Sequence, residues 1–218
     1  MTPVSVQQGN GPIVLAQPHS STFVPDEIWA NLNALGRQLT DTDWHIPRLY
    51  EGLLPDATVV SANFSRYVID ANRDPTGVSL YPGENTTQLV PTTSIDGEPI
   101  WHTQPSPQQI QRRLTQIHQP YHAALSAEIQ RVHNLLGLVV VYDCHSIRSC
   151  IPFLFDGTLP DLNIGTNSGQ ACDLTIQRIA EHTCEQNGGF SHVSNQRFKG
   201  GWTTRHYGQP KKSVHAIH

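Results

Sequence analysis

The chain has 218 residues, a length that fits one large domain or two small ones and allows a sizeable buried core. Hydrophobic residues make up 37% and charged residues only 15%, which excludes a disordered or coiled-coil chain and leaves Gln, Asn, Ser, Thr and His to supply the polar surface. Lysine plus arginine number 14 against 18 acidic residues, for a formal net charge of -4 without a long run of like charges; this argues against a general nucleic-acid binder.

The N-terminal stretch MTPVSVQQGNGP carries no basic segment followed by an apolar one, so no secretory signal is read there and a cytoplasmic location is expected. Pro12 to Ala16 reads as a short buried strand ended by Pro18, with His19 and Ser20 at its C-terminal end. Asp41 to Leu54 opens with capping residues and reads as a helix, Pro47 being tolerated in its first turn. Thr58 to Ala62 and Tyr67 to Ile69 are strand-like, and Pro75 to Pro99 is loop with turns at Pro82-Gly83 and Asp96-Gly97. Ser106 to Leu136 is the longest helical pattern, with Ser106 as N-cap, Pro107 in the first helical position and Gly137 as the stop.

Leu138 to Tyr142 is a run of β-branched residues without alternation, the pattern of a central strand buried on both faces; it ends at Asp143-Cys144-His145-Ser146. The longest apolar run, Leu135 to Val141, is broken by Gly137 and is far shorter than the roughly 20 residues of a membrane span. Without repeats or low-complexity segments, the simplest partition is one domain over residues 1–218. A strand, helix, strand order implies a mostly parallel α/β sheet, in which ligands sit beyond the carboxyl ends of the strands. His19 and His145 both fall at that edge.

Those two histidines, with the carboxylates Asp41, Asp43 and Asp143 nearby, supply the ligand types of a catalytic zinc. His45, His118, His122 and His133 lie on helical stretches, where a solvated or capping role is expected. Arg73 beside Asn72 suits a substrate carboxylate through paired hydrogen bonds; a structural ion pair with Asp70 or Asp74 is the competing reading. Lys199 to Gly208 is glycine-rich without the spacing of a phosphate loop, and reads as an active-site lid or an ordinary surface loop. Cys144 next to His145 invites a nucleophile reading, but neighbouring strand residues point to opposite faces, so Cys144 is expected in the core. The four cysteines show no C-x-x-C spacing and read as free thiols.

The ordered motifs P-H-S-S at Pro18, D-T-D-W-H at Asp41, S-R-Y-V-I-D-A-N-R at Ser65, Y-P-G-E-N-T-T at Tyr81, Y-D-C-H-S-I-R-S at Tyr142, L-P-D-L-N-I-G-T-N at Leu159 and K-G-G-W-T-T-R-H-Y-G at Lys199 resemble the N-formylglutamate amidohydrolases of bacterial histidine breakdown. The resemblance covers nearly the whole chain. It implies a three-layer α/β/α sandwich with a mostly parallel mixed sheet, related to zinc carboxypeptidases and aspartoacylases. It also implies a zinc ion on His19 and His145 with Asp41 or Asp43 as third ligand, because Thr22 stands where relatives carry the glutamate of H-x-x-E. Asn72, Arg73 and His206 would meet the substrate, and Arg66 the developing oxyanion. The implied reaction releases formate and glutamate from a small-molecule substrate, with no nucleic-acid or membrane partner. A deacylase of another N-acyl amino acid and a non-catalytic carboxylate-binding homologue are the alternatives.

Val214 to Ile217 reads as the start of a strand that in this family runs on to a glutamate base. The sequence stops at His218, so the family's C-terminal part is expected to be absent. The base would then come from Asp143, His206 or a spare aspartate of the Asp41 and Asp43 pair.

Overall fold

A computed structural model describes residues 2–218. The chain begins with β1 (Val4–Gln7) and β2 (Ile13–Gln17), then α1 (Asp26–Trp29), α2 (Ile46–Tyr50) and β3 (Thr58–Ala62). After a long irregular stretch come α3 (Pro107–Arg113), a π-helical turn at Leu114–His118, α4 (Gln119–Leu136) and β4 (Val139–Asp143). β5 (Leu162–Ile164), α5 (Leu174–Gln186), β6 (His192–Ser194), α6 (Trp202–Tyr207) and β7 (Val214–Ile217) complete it.

Five strands form a sheet in the order β1-β3-β2-β4-β7, parallel except for β1, which pairs antiparallel with β3 at one edge. The expected mostly parallel α/β sheet is present. β5 and β6 make a separate parallel pair next to α5. One sheet face, built from Val14, Ala16, Val60, Ala62, Val139, Val141 and Ala216, packs with Tyr121, Leu125, Ile129 and Val132 of α4 in the main core. Each such aliphatic side chain contributes on the order of 1.5–3 kcal/mol when fully buried. The opposite face holds a smaller cluster of Leu15, Ile46, Ala57 and Cys144 under α2. β4 is less enclosed than its composition suggests: Val140 and Tyr142 on this second face are only half-buried.

Other elements depart from the sequence reading for local reasons. The helix expected over Asp41 to Leu54 is confined to α2, because Pro47 fixes its first turn and Gly52, at φ 70°, lies just beyond its end. Leu49 and Leu53 are exposed. Tyr67 to Ile69 is a buried turn rather than a strand, with the Val68 N–H donating to Ser65 O; burial, not extension, explains its apolar character. The Ser106 cap is present as a full capping box with Gln109, and Gly137 ends α4 at φ 72°. The glycine-rich Lys199 to Gly208 segment contains α6, which packs on β4 and β7 and buries Thr203 and Thr204.

Register places the functional edge. Ala16 lies opposite Asp143 in the β2–β4 pair, and the Cys144 N–H donates to Ala16 O. The residues after both strands therefore leave the sheet together. The Asp43 N–H donates to His19 O at 3.0 Å, which brings the D-T-D turn to the same point. Among the described residues, no helix is long and apolar enough to cross a membrane.

Candidate active site

His19, Asp43 and His145 converge at this edge, with one donor atom from each lying within 4.8 Å of the others. His19 is buried, and its Nε2 donates to Asp70 Oδ1 at 2.7 Å. That bond leaves Nδ1 with its lone pair directed inward. Nδ1 is buried without a hydrogen-bond partner, 3.7 Å from Asp43 Oδ2. Asp43 Oδ2 is also 2.8 Å from His145 Nδ1. Two imidazole nitrogens and a carboxylate oxygen are the donor set of a divalent transition metal, and the orphaned Nδ1 of His19 is a donor that such an ion would satisfy.

A second rank of residues holds these groups in place. Asp143 Oδ1 lies 3.1 Å from His145 Nε2, though out of line for a hydrogen bond, and Asn72 Nδ2 lies 2.8 Å from the same nitrogen. The Asn72 amide is oriented by the Thr203 N–H, which donates to its Oδ1, and by Asp143 Oδ2, which accepts from its Nδ2. Arg66 Nη2 donates to Asp70 Oδ2 at 2.7 Å. Burial opposes a charge on His145, but Asp143 and Asp43 outweigh it and push the imidazole up to about 10. Burial likewise opposes ionisation of Asp43 and Asp70; the histidines beside each, and Arg66 and Arg73 beside Asp70, hold both below the usual carboxylate range.

The cluster opens into a cavity of about 740 Å³ whose wall carries Arg66, Arg73, Arg148 and Arg197. Arg66 Nε is buried without a partner. Arg73 gives Nε to Thr87 O, Nη1 to Asn72 O and Nη2 to Thr87 Oγ1, and its nearest carboxylate is Asp70 at 3.9 Å rather than Asp74. A wall with four guanidinium groups suits an acidic ligand.

A model of the N-formylglutamate amidohydrolase family matches residues 11–218. The chain belongs to this family. It is 44% identical to the N-formylglutamate deformylase of Pseudomonas putida over 98% of its own length and 81% of the relative's. With the N-formylglutamate deformylase of Pseudomonas aeruginosa it shares 43% identity over the same fractions. The crystal structure of an N-formylglutamate amidohydrolase from Ralstonia eutropha superposes with a TM-score of 0.82 at 25% identity, covering all of this chain and 84% of that one. A protein from Agrobacterium tumefaciens at 20% identity shares the fold, with a TM-score of 0.73.

Within this N-formylglutamate amidohydrolase family member, the residues singled out by sequence separate into three groups. His19, Asp43 and His145 form the cluster, and Arg66 and Arg73 face the cavity. Asp41 is not part of the cluster: its Oδ2 accepts from the Ile95 N–H and its Oδ1 from the Thr40 hydroxyl, so it braces the loop instead. Asn72 lines the cavity but spends its amide on protein partners. His206 is off the cavity, exposed and stacked on Trp202 at 4.1 Å. Asp143 is buried behind His145 and does not line the cavity. His118 and His122 are buried, not solvated, because the π turn and α4 press them against the main core. Cys144 packs in the second-face cluster, where burial pushes its thiol up; the four cysteines are free.

The sequence reading missed Asp70 as the brace of His19, although its place inside S-R-Y-V-I-D-A-N-R was a signal. It also missed Arg148, Arg197 and His218 as cavity residues.

Proposed function

We propose that this chain is a zinc-dependent amidohydrolase that cleaves N-formyl-L-glutamate to formate and L-glutamate, in the cytoplasm, as a step of histidine degradation. The observation that carries the reading is the buried, partnerless Nδ1 of His19 facing Asp43 and His145 at the base of an arginine-walled cavity. The Pseudomonas relatives named as N-formylglutamate deformylases support the substrate. His19, Asp43 and His145 would hold the ion and leave one position open. When bound, zinc supplies Lewis acidity and lowers the pKa of water toward neutrality.

The rest of the chemistry falls to side chains of this chain. Asp70 and Asn72 keep the two imidazoles aimed, so the ligand geometry is set before substrate arrives. Arg66, whose guanidinium lines the cavity, would donate to the formyl oxygen as it gains charge. Arg73, whose guanidinium lines the cavity, would attract one substrate carboxylate, and the further arginines favour a second negative charge.

The test is formate release by zinc-loaded protein over a panel of N-acyl amino acids. The expected result is formate from N-formylglutamate, abolished by a chelator and restored by zinc. Turnover of N-acetylglutamate instead would make the protein a deacylase of another acyl group. Saturable binding of N-formylglutamate without formate would make it a non-catalytic carboxylate binder.

A further inference from the structure

We infer that His118 and His122 are positioning residues that hold the Ala71–Arg73 turn from behind, and so set the aim of Asn72 on His145 and of Arg73 on the cavity. The π turn at Leu114–His118 joins α3 to α4, and His122 follows His118 by four residues, so both rings project toward the same turn. Such widened turns occur frequently at functional sites. His118 Nε2 lies 3.2 Å from Arg73 O, and His122 Nε2 lies 2.8 Å from Ala71 O. A carbonyl only accepts, so both rings must carry hydrogen on Nε2. The Tyr207 hydroxyl, 3.0 Å from His122 Nδ1, completes that ring's partners. The two rings are 4.4 Å apart and lie beside Trp202.

The carbonyls held in this way belong to the residues on either side of Asn72. Its own N–H donates to Asp70 Oδ1 at 2.8 Å, so its backbone is tied to the brace of His19. Its side chain reaches His145, the other histidine of the cluster. Two buried imidazoles cost desolvation that leucine or phenylalanine would not incur, and here that cost goes into fixing the peptide groups before and after the Asn72–Arg73 peptide. Neither histidine lines the cavity. They act through the turn, at the rear of the site.

The experiment compares His118→Leu and His122→Leu with His118→Gln and His122→Gln in the full chain, since a glutamine amide can replace the Nε2 hydrogen. Side-chain ¹⁵N spectra of the metal-free protein need neither metal nor substrate. The His145 ring resonances are expected to shift in the leucine variants and to return toward wild type with glutamine. Two further readings rest on the proposed function. Zinc affinity, by competition with a chromophoric chelator, should weaken about tenfold or more in His122→Leu. The KM for N-formylglutamate should rise in His118→Leu while kcat stays within about twofold.

Wild-type protein that neither holds zinc nor releases formate would sink the proposed function, leaving the spectra to decide this inference. Folded leucine variants with unmoved His145 resonances overturn it, as do glutamine variants no closer to wild type than leucine. If a leucine variant does not fold, Tyr207→Phe keeps the ring packing and loses one hydroxyl. His145 resonances unmoved in Tyr207→Phe would then overturn it.

Discussion

An imidazole can present one chosen nitrogen to a cation only if its other nitrogen is held, because the ring otherwise turns or exchanges tautomers. Asp70 does this for His19, and Asp143 with Asn72 crowds the far side of His145. Replacing His19, Asp43 or His145 by alanine is therefore expected to drop bound zinc well below one equivalent in elemental analysis. Asp41→Asn should keep full occupancy, since its carboxylate braces Ile95 and Thr40; loss of zinc there would move the third ligand to Asp41. Arg73→Ala is expected to raise the KM for N-formylglutamate about tenfold or more through a lost charge-assisted contact. An unchanged KM would leave Arg73 only its bonds to Thr87 and Asn72. His19 and His145 were legible because each follows an apolar strand directly. The choice between Asp41 and Asp43 was not, because two aspartates two residues apart look alike until the Asp43 N–H is seen on His19 O.

At the level of elements, the site is a meeting of loops and one short helix on a parallel edge. α6 begins where Gly201 lies so close to Asn72 that an added Cβ would stand 2.3 Å from its Nδ2. Gly201→Ala is expected to push Asn72 off His145, lowering the melting temperature and weakening zinc binding together. A stable Gly201→Ala protein with wild-type zinc affinity would show that Asn72 is dispensable to His145. The capping box at Ser106 and the stop at Gly137 could be read from sequence because each is local chemistry within four residues. The π turn at Leu114–His118 could not, since one extra residue inside a long helical pattern barely alters its periodicity. Tyr67 to Ile69 misled for a related reason: a buried turn and a short buried strand share the same apolar signature.

Across the whole molecule, an uncommon number of ionisable groups are buried, and their stability contributions run in opposite pH directions. Burial, with the charge of neighbouring His118, holds His122 down to about 3, against about 6.5 in an unfolded chain. Between those values the unfolded chain binds a proton that the folded one refuses. Stability from this residue is present above about pH 6.5 and is lost as pH falls toward 3, by about 1.4 kcal/mol per pH unit. His145 in the metal-free site works the other way. Raised to about 10, its contribution is complete below about pH 6.5 and is lost as pH rises toward 10, so it adds no slope on the acid side. Asp43, Asp70 and Asp143 lie below the usual carboxylate range, so their contributions are complete above about pH 5 and are lost progressively below it. Urea unfolding of the metal-free protein is thus expected to show stability declining from about pH 6.5 to 5, before the carboxylates titrate appreciably. His122→Gln should make that decline shallower even if the variant is less stable at pH 7, with His118 and His218, also pushed down by burial, keeping the remainder. An equal slope in both proteins would mean that His122 takes up its proton in the folded state, at Nδ1 beside the Tyr207 hydroxyl, while its Nε2–H stays on Ala71 O.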